Sequence, residues 1–194
     1  ILNCTLNTSH KYIRTYYARM YEAKFLSGLI AGAMAENDKI GYIADYPIYG
    51  MTANINAFAL GAACVNPRAK IYLEWSTRKG YDLDTFIKEN DIHYISNQDM
   101  ITPQSASRQF GIYRVESGAT TNLAMPLWNW GIFYEKMIRS IIEGNYQSEE
   151  NGERKALNYW WGMSAGVIDL ICSNNVPTGV RRLVGHFKND ICSG

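Results

Sequence analysis

From Ser9 onward, Ile13, Tyr16, Met20, Ala23, Ser27, Ile30 and Met34 recur at steps of three and four, the period of an amphipathic helix. The pattern predicts a long helix capped at Ser9 or Thr8, stopping at Asn37-Asp38, with a break near Tyr16-Tyr17. Gly28, Ala31 and Gly32 lie inside it, and each glycine costs about 1 kcal/mol relative to alanine in a helix. That cluster implies close approach of a neighbouring backbone. The spacing then switches to short β-branched and aromatic runs separated by further helical stretches. Lys39 to Ala44 reads as a strand, and Asp45 to Gly50 as a loop punctuated by Pro47. Met51 to Val65 reads as a helix with Ile55, Phe58, Ala62 and Val65 on one side, and Lys70 to Trp75 as a second strand. A weaker helix spans Asp82 to Asn90 and carries Leu83, Phe86 and Ile87 inward. A third strand spans Ile92 to Ser96.

Farther on, Thr102 to Gln109 predicts one or two helical turns, and Phe110 to Val115 a fourth strand. Leu123 to Trp128 is a fifth apolar run whose Pro126 places it at a sheet edge or a strand end. Trp130 to Glu143 is a helix with Trp130, Phe133, Tyr134, Met137, Ile138 and Ile141 in phase, closed by Gly144. Asn145 to Lys155 is a polar loop, Gly166 to Ser173 a buried strand, and Pro177 opens a last helix carrying Val180, Leu183, Val184 and Phe187. Three successive β-then-α units require crossovers, which favour parallel pairing. The expected class is α/β, a mostly parallel sheet flanked by helices on both faces. Pocket groups should then come from the loops after the strands. With 194 residues and neither repeat nor linker, residues 1–194 form one domain.

Composition narrows the chemistry. A net charge of +1, with no basic run interleaved with aromatics, argues against nucleic acid as a partner. The cysteines at 4, 64, 172 and 192 have no CxxC or Cys/His spacing suited to zinc, so no metal is expected. Cys64 and Cys172 sit in apolar contexts and read as core residues; Cys4 or Cys192 could pair in an oxidising compartment. His10, His93 and His186 are not helically spaced for a metal or a shared base. Asp82 and Asp84 stand where a helix N-terminus favours negative charge, which explains them without catalysis. There is no GxSxG elbow, no phosphate loop and no GxGxxG, so no enzyme and no cofactor is expected, and a flavodoxin-like enzyme is disfavoured. No signal-peptide pattern or membrane-length apolar run is present, and the abrupt start at Ile1 reads as that of an excised piece.

The strand-end loops hold the informative residues. Tyr46 and Tyr49 follow the first strand, Trp75 ends the second, Tyr113 lies in the fourth, and Trp128 and Trp130 follow the fifth. Such rings can stack on a planar, weakly charged solute while Asp45, Asn97, Asp99 and Asn129 fix its orientation. The residues proposed to contact ligand are Asp45, Tyr46, Asn97, Asp99, Tyr113 and Trp128, with Arg114 as an anchor for an anionic group.

Four blocks in order carry a family resemblance: RMYEAKFLSGLIAGAMAENDKIGYIADYPI, INAFALGAACVNPRAKIYLEW, LWNWGIFYEKMIRSIIEGNY and YWWGMSAGVIDL. Together they resemble the basic membrane protein family of substrate-binding lipoproteins, which includes purine nucleoside receptors of ABC importers. The resemblance runs from about Arg19 to Asp169. It implies a type I periplasmic-binding-protein fold, two α/β lobes closing on ligand by hinge motion. It further implies residues 1–37 as a helical interlobe segment and 38–194 as a second-lobe unit, with the first lobe largely absent. A small solute, a nucleoside or related polar heterocycle, and an ABC permease are the implied partners. The implied location is the bacterial cell surface, through a lipidated parent cysteine whose context Cys4 does not match. Two departures stand out. GIYRVESG, with Tyr113 and Arg114, occupies the segment where nucleoside receptors place an acidic ribose-binding residue. Ser164 and Ala165 stand where the family usually has a lysine and an acidic residue. The alternative is a binding-protein lobe turned into a sensory or protein-interaction domain, with a dimer through the lobe-docking face.

Overall fold

The computed structural model describes residues 2–3, 15–48, 50–97, 109–144 and 158–194. The elements in chain order are β1 (Leu2–Asn3), β2 (Thr15–Ala18), α1 (Met20–Met34), β3 (Lys39–Ala44), α2 (Met51–Val65), β4 (Lys70–Trp75) and α3 (Leu83–Asn90). They continue with β5 (Tyr94–Ser96), β6 (Ile112–Glu116), β7 (Ala119–Trp128), α4 (Trp130–Ile142), β8 (Asn158–Trp161), β9 (Ile168–Cys172) and α5 (Thr178–Ser193). They build a six-stranded sheet of order β4-β3-β5-β6-β7-β9 and a three-stranded sheet of order β1-β2-β8.

Alternation along β3 explains the layers. Ile40, Tyr42 and Ala44 enter one apolar cluster with α1, α2 and α5, whereas Ile43 enters a second with Ile92, Ile95 and Tyr113, covered by Leu83, Phe86 and Ile87 of α3. A strand buried on both faces needs apolar residues at nearly every position, which is what KIGYIA supplies. Helices therefore flank the large sheet on both sides, as expected. Leu26, Leu29 and Ile30 of α1 are fully buried in the first cluster, each contributing about 1.5–3 kcal/mol. The glycine cluster does what its cost implied. A Cβ on Gly28 would lie 2.1 Å from Phe58 O, and one on Gly32 would lie 2.5 Å from Ala62 O, so α1 and α2 touch backbone to backbone.

Pairing is parallel across β4-β3-β5, where two helical crossovers join the strands, and antiparallel across β5-β6-β7-β9, where a tight turn joins β6 to β7 while α4 and β8 intervene between β7 and β9. The Ser117-Gly118 turn between β6 and β7 puts both residues at positive φ. The parallel expectation thus holds for the first half of the large sheet and for the small sheet, whose pairings are also parallel.

Several elements depart from the pattern reading. Residues Thr15 to Ala18 are strand, and α1 starts at Met20; the caps Ser9 and Thr8, with Ile13 and His10, lie outside the described residues. Tyr16 and Ala18 face one side of β2, a period of two that a helical template also accepts over so short a run. Pro126 is not on an edge strand, because β7 lies between β6 and β9, but it stands two residues from the end of β7, the strand-end placement. Ser173 N–H donates to Leu123 O at 2.7 Å, so Leu123, Met125 and Leu127 bond with β9 while Pro126 turns its ring nitrogen toward β6. β6 begins at Ile112, opposite Ala124, so the ladder does not reach that nitrogen. Cys64 is exposed rather than core, while Cys172 is half-buried against the large cluster; both are free thiols, as is Cys192. Cys4 lies outside the described residues, as does the predicted turn at Thr102 to Gln109 apart from Gln109. Asp82 caps α3 by accepting from Thr85 N–H at 2.9 Å, and the Thr85 side chain, together with this backbone bond, holds its carboxyl below the usual range. Gly144, at φ +74, follows α4 and donates to Ile141 O, the closing role assigned to it.

Candidate functional site

The carboxyl ends of β3, β4, β5 and β7 meet the amino ends of β6 and β9 along one rim of the large sheet. Asp45, the first residue past β3, accepts through Oδ1 from Ser76 Oγ at 2.6 Å and through its carbonyl from Thr77 Oγ1 at 2.7 Å. These bonds lock the loop after β3 to the loop after β4. Tyr46 follows and is 61% exposed. Asn97, the first residue past β5, donates its backbone N–H to Gly111 O and its amide to the Tyr113 hydroxyl at 3.4 Å.

The candidate residues do not all gather there. Tyr113 pairs with Ile95 and is fully buried, so its ring is core and its hydroxyl serves Asn97. Burial pushes that hydroxyl well above its ordinary pKa, with the bond from Asn97 pulling the other way. Arg114 lies opposite Tyr94, at the amino end of β5 and away from the rim, with Nη2 3.1 Å from Glu116 Oε2. The placement sets it apart from the candidates at the rim. Trp128 ends β7, which runs past the rim, and its indole lies parallel to that of Trp130, centroids 6.5 Å apart and planes at 3°. Asn129 bonds to Gly166 O and Val167 O instead of facing open solvent. Asp99 and Tyr49 lie outside the described residues.

The small sheet brings residues that the pattern reading missed. β2 and β8 pair Tyr16 with Tyr159, Tyr17 with Trp160 and Ala18 with Trp161. Period-two alternation sends Tyr16, Tyr159, Ala18 and Trp161 into a cluster with Phe133 and Met137 of α4. Tyr17 and Trp160 point to the opposite face, their rings 5.4 Å apart. Tyr17 reaches the rim: a Cβ on Gly50 would lie 2.5 Å from its hydroxyl oxygen. Gly50, at φ +84, opens α2 without a side-chain cap. Trp160 is 46% exposed beside it. The signal in the sequence was the strand alternation in TYYA and NYWW. Below the rim, Lys24 of α1 is 3% exposed, donates to Ser96 Oγ at 3.2 Å and lies over the Tyr42 ring at 5.2 Å. A buried lysine on an apolar helix carries no sequence signal of the partner it will meet.

Among the described residues, the rim therefore offers half-open rings, an amide and a tethered carboxylate. Among the described residues no cluster of His, Cys, Asp and Glu could hold a metal, and no helix is long and apolar enough to cross a membrane.

Residues 5–112 match the family model described as ABC transporter substrate-binding protein PnrA-like. The chain belongs to that family. It is 30% identical over 166 residues to a putative ABC transporter glucose-binding protein of Haloferax volcanii, covering 78% of this chain and 40% of that protein. It is 26% identical over 192 residues to a purine-binding protein of Brucella abortus, covering 92% of this chain and 53% of that one. The chain thus spans about half the length of the curated relatives it matches. Among solved structures, a transcriptional activator of the comK gene from Bacillus halodurans matches at TM-score 0.68 and 14% identity, covering 93% of this chain and 65% of that chain. A solute-binding protein of an ABC transporter system from Aeropyrum pernix matches at TM-score 0.64 and 13% identity, over 99% of this chain and 68% of that chain. Identities this low establish the fold alone. The resemblance to the basic membrane protein family and the binding-protein lobe fold are borne out.

Proposed function

We propose that this PnrA-like chain is a non-enzymatic solute-binding unit of an ABC importer, working outside the cytoplasm and delivering a small polar ring compound to a permease. The observation that carries the reading is the ring pair of Tyr17 and half-exposed Trp160, with Tyr17 against Gly50, on the same rim as exposed Tyr46 and Asn97, in a chain of this family. Rings supply stacking area, and the amide and Asp45 supply oriented acceptors and donors, the usual makeup of a small-molecule site. A purine base or nucleoside fits the planar stacking better than a hexose does. The relatives include both a purine-binding protein and a putative glucose-binding protein.

The test is a thermal-shift panel of purine bases, nucleosides and hexoses. A ligand present at about 100 times its Kd stabilises the folded protein by about 2.7 kcal/mol, a shift of several degrees at this size. One chemical class should shift the midpoint; a panel flat at millimolar concentrations would refute the reading.

One observation favours the alternative of an interaction domain. Tyr134, Ile138, Ile141 and Ile142 form an exposed apolar stripe on α4. A contiguous stripe of this kind marks an interface. In this reading a second copy covers it, sedimentation shows a dimer, and Ile138→Glu returns a monomer; a monomer at every concentration would exclude it.

A further inference from the structure

Three passages of chain join the small sheet and α4 to the large sheet: Ala18 to Met20, Trp128 to Trp130, and Trp161 to Ile168. All three converge on the turn from Gly162 to Val167. Arg19 N–H donates to Trp161 O at 2.9 Å, and Arg19 Nη2 donates to Ser164 Oγ at 3.3 Å. Asn129 gives its backbone N–H to Val167 O at 2.8 Å and its amide to Gly166 O at 2.9 Å. The turn straddles the two bodies, since Met163 packs in the large cluster and Val167 in the small one.

At the centre is a charged group that neither the fold nor the rim uses. Glu22, in the first turn of α1, is 8% exposed. Its Oε2 accepts from Met163 N–H at 2.6 Å, and its Oε1 lies 2.9 Å from Arg19 Nε, an ion pair without an aligned hydrogen bond. Gly162 makes room for the carboxylate, because a Cβ there would lie 2.2 Å from Glu22 Oε2. A carboxylate desolvated to this degree is stable only when its oxygens are matched by donors or cations, and here the match is made by two different passages.

We propose that Glu22 is a positioning residue that pins the outgoing and returning passages together, so that the Gly162–Val167 turn moves with α1 and the bend between the two bodies is confined to the small-sheet side of the pin. The inference rests on the solute-binding reading only for its purpose, which is a reproducible approach of the Tyr17 and Trp160 face to the rim. Without the pin, the turn can slide on α1 and the two bodies sample a wider range of angles.

The experiment measures the full chain without any solute. Spin labels at the exposed Cys64 of α2 and at Lys136→Cys of α4, with the other cysteines replaced by serine, report the distance between the two bodies. Hydrogen exchange reports the Met163 amide. Glu22→Ala should broaden the distance distribution and speed Met163 exchange by about tenfold or more, while exchange in β3 and β4 stays at the wild-type rate. Glu22→Gln, which keeps an acceptor for Met163 N–H and is the safer variant for folding, should leave Met163 protected yet still broaden the distribution, because the pairing with Arg19 is lost. A distribution as narrow as wild type in both variants, or loss of protection in β3 and β4 together with Met163, overturns the pin. Absence of solute binding alongside a broadened distribution would refute the receptor reading and leave the pin standing.

Discussion

Gly61 sets two physical effects against each other, and the structure decides which is larger. It lies in the middle of α2, where alanine would gain about 1 kcal/mol of helix propensity. It also faces the backbone of α1: a Cβ at this position would lie 2.0 Å from Phe25 O and 3.1 Å from Leu29 N. An ordinary carbon-to-oxygen contact is about 3.3 Å, so the helices would have to part by more than about 1 Å. That shift opens the seam between Phe58 and Ala62 on one helix and Leu29 and Ile30 on the other, all fully buried. Overpacking of a dense core costs about 1–3 kcal/mol, and the upper end applies where backbone, not a side-chain tip, must give way. The clash outweighs the propensity, and Gly61→Ala should destabilise by about 1–3 kcal/mol net, lowering Tm by about 2–4 °C for each kcal/mol. Gly185→Ala is the control, since nothing lies within 4 Å of a Cβ there in α5. It should stabilise by up to about 1 kcal/mol. Urea unfolding followed by far-ultraviolet circular dichroism reads both variants. A Gly61→Ala protein as stable as wild type would refute the account of the α1–α2 contact.

Other perturbations probe the site and its supports. Tyr113 keeps its proton in the folded state above the ordinary value of 10.0, because burial raises its pKa. Between the unfolded and folded values the unfolded chain binds fewer protons, so stability falls as pH rises past about 10. Tyr113→Phe should flatten that fall in urea midpoints, although Tyr16 and Tyr81, also raised by burial, keep part of the slope. Phe133→Ala removes the ring at the centre of the small cluster and should cost about 3–5 kcal/mol. Near-ultraviolet dichroism from Trp130 and Trp161 should be lost at lower urea than the far-ultraviolet signal; coincident transitions would contradict the picture of two packed bodies. Trp160→Ala should change stability by no more than about 1 kcal/mol and weaken solute affinity at least about tenfold; an unchanged Kd would remove Trp160 from the site.

Much of the large sheet was legible because its punctuation is local. Lys39–Ala44, Met51–Val65 and Lys70–Trp75 have the bounds that the hydrophobic period and the flanking Pro, Gly and Asn residues indicate. The glycine stripe on α1 announced a backbone contact before α2 was in view. What failed was decided by partners distant in sequence. Thr15–Ala18 becomes strand because Asn158–Trp161 pairs with it, and four residues are too few for period to separate strand from helix. Pro126 is tolerated on a strand away from the sheet's edge because the neighbouring strand starts late, a fact of register. The same holds for the site. Asp45, Tyr46 and Asn97 follow their strands by one or two residues, so they could be placed at the rim from chain order. Tyr113 and Arg114 could not, since the direction and register of β6 decide that one is core and the other faces away.

The central claim is that the rim of the large sheet and the Tyr17–Trp160 face hold a small polar ring compound. Isothermal titration of the chain with purine bases, nucleosides and hexoses, on wild type and Trp160→Ala in parallel, tests it most directly. The account predicts saturable binding of one ring-bearing class at one site per chain, weakened by Trp160→Ala. Flat isotherms across the panel, or equal affinity in both proteins, would contradict it.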